Sequence, residues 1–234
     1  MEKKDRFGGL NSVHIKLIAV FTMFIDHLAA VILYNRLPFE VYEWLRFVGR
    51  IAFPIYCFFL VQGFMHTSNV KKYALRLGVF ALISEIPFDL ALYGTWWFKD
   101  SNNVFFTLLI GLLVIWGFEF FHKRFQMPGI VMGAALIALG CFVAEKVLCC
   151  DYGWAGIATI VTMYLLRNKP QVYGYIMGVI VLTLLTYSGE LFALIGAIPI
   201  WYYNGKKGKN WKHFFYVFYP AHLLVLWVVT LILK

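Results

Sequence analysis

The chain has 234 residues, 62% of them hydrophobic and 14% charged, with a formal net charge of +9. Its apolar residues fall in long runs separated by short polar breaks rather than in amphipathic stripes, a composition that excludes an ordinary soluble domain and fits a polytopic membrane protein. The positive balance would suggest nucleic acid only if the basic residues shared one surface, and their distribution along the chain makes that partner unnecessary.

Residues 1–10 are short and charged, and the apolar run behind them lacks a small-residue cleavage site, so the first span is expected to stay in the mature protein. A helix crossing a roughly 30 Å hydrocarbon core needs about 20 apolar residues. That length divides the chain into about nine predicted segments: 12–34, 47–65, 72–93, 103–121, 128–146, 150–167, 171–187, 189–203 and 213–233. The predicted architecture is therefore all-α, a polytopic membrane helical bundle. One membrane-embedded domain covers residues 1–234, with no polar block large enough to fold alone.

Between the first two spans, residues 36–46 set Arg36, Glu40, Glu43 and Arg46 among apolar neighbours and predict a short interfacial helix. The Trp96-Trp97 pair is expected to anchor at an interface. Only a tight Ser188-Gly189 break separates the seventh and eighth segments, and Pro199 is expected to kink the eighth. Gly174 and Gly178 form a GxxxG that lets two helices approach closely.

With the N-terminus in the cytoplasm, the inside loops collect Lys3, Lys4, Arg6, Lys16, Lys71, Lys72, Arg76, Lys123, Arg124, Arg167, Lys169, Lys206, Lys207, Lys209 and Lys212. The outside keeps Arg36, Arg46, Arg50, Lys99, Lys146 and Lys234. This alternation predicts nine spans with the C-terminus outside, and it explains the basic charge as topology. The cysteines, Cys57, Cys141, Cys149 and Cys150, form no CxxC pair and no zinc spacing with histidine, so they are expected to pack as small apolar residues and no metal is expected.

Charges inside spans cost about 2.5–3.5 kcal/mol each near the centre on the insertion scale, so those retained are candidates for function. Span depth places Asp26 and His27 in the middle to outer half of the first segment, and Glu85 and Asp89 on one face of the third. Arg50 lies near the outer end of the second, Asn103 opens the fourth, and His222 lies midway along the ninth. An imidazole among carboxylates is suited to general base catalysis, because a carboxylate can fix its tautomer and stabilise the imidazolium. Each residue also has a structural alternative: His222 as a hydrogen-bonded packing residue, and Glu85 and Asp89 as braces paired to Arg50. No HExxH, GxSxG or Walker loop is present.

The stretches IKLIAVFTMFIDHLAAV and FVGRIAFPIYCFFLVQGF, with FYVFYPAHLLVL near the end, resemble the TraX family of bacterial membrane proteins. Asn103 before VFFTL and the YGWAG stretch, Tyr152 to Gly156, extend the resemblance over nearly the whole chain. The family's namesake N-acetylates the pilin of a conjugative pilus, and the family resembles the acyltransferase-3 type membrane enzymes, which carry an Arg, ten residues and then a His in the first span. Here Lys16, ten residues and His27 keep the spacing and change the basic residue. The resemblance implies a bacterial cytoplasmic membrane and an acetyltransferase that uses acetyl-CoA as cosubstrate, with no tightly bound cofactor. The acceptor would be a protein or peptide amine, or alternatively a hydroxyl of an envelope glycan.

Under that resemblance His27 is the base, oriented by Asp26, Glu85 or Asp89. Arg50 either holds that carboxylate or stabilises the oxyanion, and Asn103 is a second oxyanion donor. Lys16, roughly 16 Å below His27 along the helix, would meet the donor's phosphates with Arg76 and Lys72. His222 and Tyr152 would contact substrate or donor. A proton-coupled transporter built on Asp26, His27, Glu85 and Asp89 is the alternative from another class, although no inverted repeat of broken hydrophobic segments is visible.

Overall fold

The computed structural model describes residues 9–233, apart from the side chain of Lys212. Lys3, Lys4, Arg6 and Lys234 of the charge count lie outside the described residues, as does the Lys212 side chain. Among the described residues the chain is built of helices, with two isolated β-bridges and no strand.

Helix α1 (Ser12–Leu28) starts where the Asn11 side chain accepts from the backbone N–H groups of Val13 and His14, at 2.9 and 3.1 Å. It runs into a π-helical turn, Ala29–Leu33, just beyond His27. Helices α2 (Phe39–Gly49) and α3 (Ala52–His66) follow. The expected boundary at residue 46 moves to Arg50 and Ile51, where a turn divides the predicted 47–65 segment. There Arg50 and Ile51 donate to the carbonyls three residues back, Phe47 O and Val48 O, and Pro54 has no N–H for the Arg50 carbonyl, which fits a break at this turn.

Helix α4 (Val70–Tyr93) is capped by Asn69, contains Pro87 and ends on Gly94 at φ 70°. Helix α5 (Val104–Phe142) doubles back at Gln126, whose φ of 48° and ψ of −116° are not helical. Its halves lie against each other: a Cβ on Gly133 would fall 2.5 Å from the Phe118 ring, and one on Gly140 2.4 Å from Val114. The expected fourth and fifth segments are thus one helical hairpin, extended by a π turn at Val143–Val147.

Helix α6 (Gly153–Leu165) packs on α5 and on α7 (Gln171–Leu185). The Gly174 and Gly178 positions face Leu166 and Met163 of the α6 segment, which makes the GxxxG a helix-packing device. The expected eighth segment is a 3-10 stretch, Ser188–Gly196, followed by the short α8 (Ala197–Trp201). Helix α9 (Lys212–Ile232), with Pro220 inside, packs on α4 and α1.

Four helical stretches are long and apolar enough to cross a membrane: Ser12–Leu33, Phe39–His66, Val104–Val147 and His213–Ile232. Gly153–Leu165, Gln171–Leu185 and Ser188–Trp201 are apolar but shorter, and α4 carries Arg76, Glu85 and Asp89 in its body. Length and apolarity therefore support a helical membrane protein, with four such stretches among the described residues where nine segments were expected.

Two clasps close the ends of the bundle. At one, Leu10 N–H donates to Tyr202 O, Ser12 N–H to Lys206 O, and Ser12 Oγ to Lys207 O at 2.7 Å. At the other, Asn102 N–H donates to Cys149 O, Asp151 N–H donates to Asn102 O, and the Thr107 hydroxyl donates to Asp151 O. Each clasp joins segments that the charge count puts on the same side.

Candidate active site

Helical geometry sorts the polar residues of α1 onto two faces. Eleven positions separate Lys16 from His27, about three turns plus roughly 20°, so the two share a face, with Met23 between them. Asp26 points about 100° away from His27.

On the first face, α9 brings His222 to His27: Nδ1 of His27 lies 2.7 Å from Nε2 of His222, with the rings stacked at 4.9 Å. The hydrogen-bond network fixes the tautomers. Nδ1 of His222 lies 2.8 Å from the Phe218 carbonyl oxygen, which only accepts, so that nitrogen carries the proton. In a neutral ring Nε2 of His222 is then a lone pair and accepts the Nδ1–H of His27. Nε2 of His27 is left unprotonated and able to take a proton. The side chain hydrogen-bonded to His27 is therefore His222, where the sequence pointed to a carboxylate. Phe218 stacks on His222 at 4.7 Å, and Tyr219 meets His27 edge-on at 5.9 Å.

The same face of α1 forms one wall of a cleft of about 670 Å³. Its mouth gathers Lys16, Arg76, Lys207 and Lys209 with His66, and its inner end is lined by Met23, Phe105 and Tyr219. Met23 lies one turn before His27 and Tyr219 packs against it, so the cleft ends one side-chain layer from the histidine pair. Lys16 Nζ sits over the Phe59 and Phe215 rings, at 4.9 and 5.6 Å from their centroids. Arg76 lies over Tyr73, and its buried Nε has no protein partner. Lys72 is exposed at the start of α4, where its backbone N–H is capped by Asn69, and it is not part of the cleft wall.

Asp26, on the other face, is held by Arg46 of α2 at 2.8 Å, and Arg46 also reaches the Asp26 carbonyl oxygen at 3.3 Å. This contact depends on Gly49: a Cβ there would sit 2.2 Å from the Asp26 Cβ. Gly49→Ala is expected to force α2 off α1 and to destabilise the protein by about 1–3 kcal/mol, read as a lower melting temperature in detergent.

Arg50 turns to residues that the sequence did not assign to it. Its Nη1 lies 3.6 Å from Oε1 of Glu190 and 3.4 Å from the Tyr152 hydroxyl, and its guanidinium lies over the Tyr187 ring. Tyr152, at φ 62°, stacks flat on Phe53 at 3.7 Å. His27 lies within electrostatic range of both Arg46 and Arg50.

Glu85 and Asp89 are buried on one face of α4 as expected, but they brace the α4–α5 connection. Glu85 accepts from the Asn103 backbone and side-chain N–H groups, and Asp89 accepts from Phe98 N–H at 2.9 Å. Asn103 also donates to Ala81 O at 2.8 Å and caps α5 by accepting from Phe105 N–H. In the structural alternative these two were to pair with Arg50; Arg50 pairs with Glu190 instead. Among the described residues no group of three or more His, Cys, Asp or Glu side chains is placed to hold a metal ion.

From sequence Glu190 has no assigned role, and Arg46 belongs only to the interfacial helix and the outside charge count. Glu190 is the only charged residue between 171 and 203, and the rule that flagged Glu85 applies to it equally. It lies at the start of the predicted 189–203 segment, next to the Ser188-Gly189 break.

Residues 12–230 match the family described as TraX protein. A probable fimbrial assembly protein FimC, serogroup H1, of Dichelobacter nodosus is 32% identical over 241 residues, covering 92% of this chain and 94% of the relative. An uncharacterized protein of Rickettsia prowazekii (strain Madrid E) is 26% identical over 157 residues, 66% of this chain and 55% of its own length. No solved structure matches. The family match spans nearly the whole chain, from the start of α1 to the last turn of α9, and includes both histidines of the paired site; the chain belongs to the TraX family.

Proposed function

We propose that this protein is a membrane acetyltransferase that moves an acetyl group from acetyl-CoA to the amine of a protein or peptide. The observation that carries this reading is the position of His27. Its unprotonated Nε2 is prepared by His222, and the pair lies one side-chain layer, that of Met23 and Tyr219, beyond the inner end of a large cleft with a cationic mouth.

The chemistry follows from that placement. The phosphates of acetyl-CoA meet Lys16, Arg76, Lys207 and Lys209, and the pantetheine arm runs inward past Tyr216 and Phe105 to bring the thioester to His27. Nε2 of His27 takes a proton from the acceptor amine as the C–N bond forms. The C–S bond then breaks, and the CoA thiolate recovers that proton from the imidazolium.

The chain sits in a bacterial cytoplasmic membrane, crossing it nine times with the N-terminus inside, as the alternation of basic loops supports. The cleft mouth then faces cytoplasmic acetyl-CoA. The name of the Dichelobacter nodosus relative ties that protein to fimbrial assembly, which favours a fimbrial subunit as the acceptor over a glycan hydroxyl.

The cleft assignment is tested by steady-state transfer from acetyl-CoA to an amine-terminated peptide in proteoliposomes. Lys16→Ala combined with Arg76→Ala is expected to raise the KM for acetyl-CoA by about tenfold or more, through two lost charge-assisted phosphate contacts, while kcat changes little. An unchanged KM in the double variant would remove the cleft from the account.

A further inference from the structure

Three buried polar atoms of one cluster have no protein partner: Oδ1 of Asp26, Nε of Arg50 and Oε2 of Glu190. The cluster lies on the Asp26 face of α1, away from the cationic cleft, and none of Asp26, Arg46, Arg50, Tyr152 or Glu190 lines that cleft. Glu190 is the extreme case, with 1% of its side chain exposed and its nearest cation, Arg50, at 3.6 Å. A buried carboxylate with one long ion pair and one empty oxygen is strongly penalised unless something else donates to it. At the edge of the cluster the Arg46 and Arg50 side chains are 22% and 18% exposed.

The unsatisfied atoms describe the missing group. Two carboxylate oxygens want donors, and one guanidinium N–H wants an acceptor. A peptide N-terminus supplies both: an ammonium with three donors, and the carbonyl oxygen of its first residue. A hydroxyl brings a single donor and leaves one of the two oxygens empty.

We propose that Glu190, with Asp26 and Arg50, forms the acceptor subsite, which binds a peptide by its terminal ammonium and first carbonyl on the side of His27 opposite the acetyl-CoA cleft. This rests on the acetyltransferase reading for the identity of the site. Tyr152, pinned flat on Phe53, and Tyr187, beneath the Arg50 guanidinium, are its walls. Donor and acceptor then approach the histidine pair from two faces of α1; the bound ammonium first loses one proton to solvent, and the neutral amine attacks while His27 takes its second proton.

The test separates binding from transfer. Binding of an alanine-terminated peptide and of its deaminated counterpart, in which N–H3+ is replaced by hydrogen, is measured on detergent-purified wild type without acetyl-CoA. The amine peptide is expected to bind about 10–100-fold more tightly, the loss that follows when charge-assisted hydrogen bonds are removed. Glu190→Gln is expected to erase that preference and to raise the peptide KM in transfer while leaving the KM for acetyl-CoA unchanged. Glu190→Asp, which keeps the carboxylate, is expected to retain part of the preference. The deaminated probe needs no variant, so a poorly folded Glu190→Gln protein does not shelter the proposal. Equal binding of the two peptides by wild type, or an unchanged preference in a folded Glu190→Gln protein, overturns the subsite. Preferential amine binding without any acetyl transfer would keep the subsite and overturn the acetyltransferase reading.

Discussion

His27→Ala is expected to reduce acetyl transfer by about 10²–10⁴-fold, the contribution of a positioned general base, while acetyl-CoA still binds. The separation follows from the architecture. The cationic residues that would hold the donor lie at the cleft mouth, three helical turns from His27, and the alanine leaves them in place. The Asp26–Arg46 pair on the other face of α1 also survives, because its contacts do not include the imidazole. Binding of radiolabelled acetyl-CoA beside single-turnover transfer checks both halves. Transfer at the wild-type rate would remove His27 as the base, and loss of donor binding would recast it as a packing residue.

The second large effect is expected at His222, which we assign as a positioning residue. His222→Phe keeps a ring against Phe218 and Tyr219 but removes the acceptor for Nδ1–H of His27. The imidazole is then free to rotate or to place its proton on Nε2, where it can no longer act as a base. A misplaced catalytic group of this kind costs about 10²-fold, so kcat is expected to fall by that order with the KM for acetyl-CoA unchanged. His222→Gln offers an amide oxygen toward the same N–H and is expected to recover part of kcat. A purely structural role would lower thermal stability in both variants and show no such recovery, which a kcat comparison at matched folded fraction distinguishes.

The legible parts of the fold were those governed by local composition. Long apolar runs and the charge alternation locate helices from sequence, and the two clasps join loops of the same predicted side. Backbone detail was less legible. The α2–α3 break lies at Arg50 and Ile51 rather than at residue 46, and the eighth segment divides into a 3-10 stretch and α8 just before Pro199, where the sequence marks a kink but not the 3-10 geometry.

In the site, spacing along α1 tied Lys16 to His27, since both residues lie on one helix. Partner choice was not legible in the same way. Asp26 with Arg46, Arg50 with Glu190 and His27 with His222 are set by which helix faces meet, and sequence separations of 20, 140 and 195 residues carry no register between elements. Glu85, Asp89 and Arg50 share a depth, and depth alone cannot distinguish a bracing carboxylate from a catalytic partner. His222 shows the opposite case: an imidazole with a good structural alternative becomes the orienter once its acceptor at Phe218 fixes the tautomer.

The central claim is that this protein transfers acetyl from acetyl-CoA to an amine at His27. Purified protein in proteoliposomes, supplied with labelled acetyl-CoA and an amine-terminated peptide, tests it most directly. The account predicts N-acetylated peptide and free CoA in equal amounts, both lost in His27→Ala. Substrate-dependent proton flux with no release of CoA would contradict it and assign the buried charges to transport.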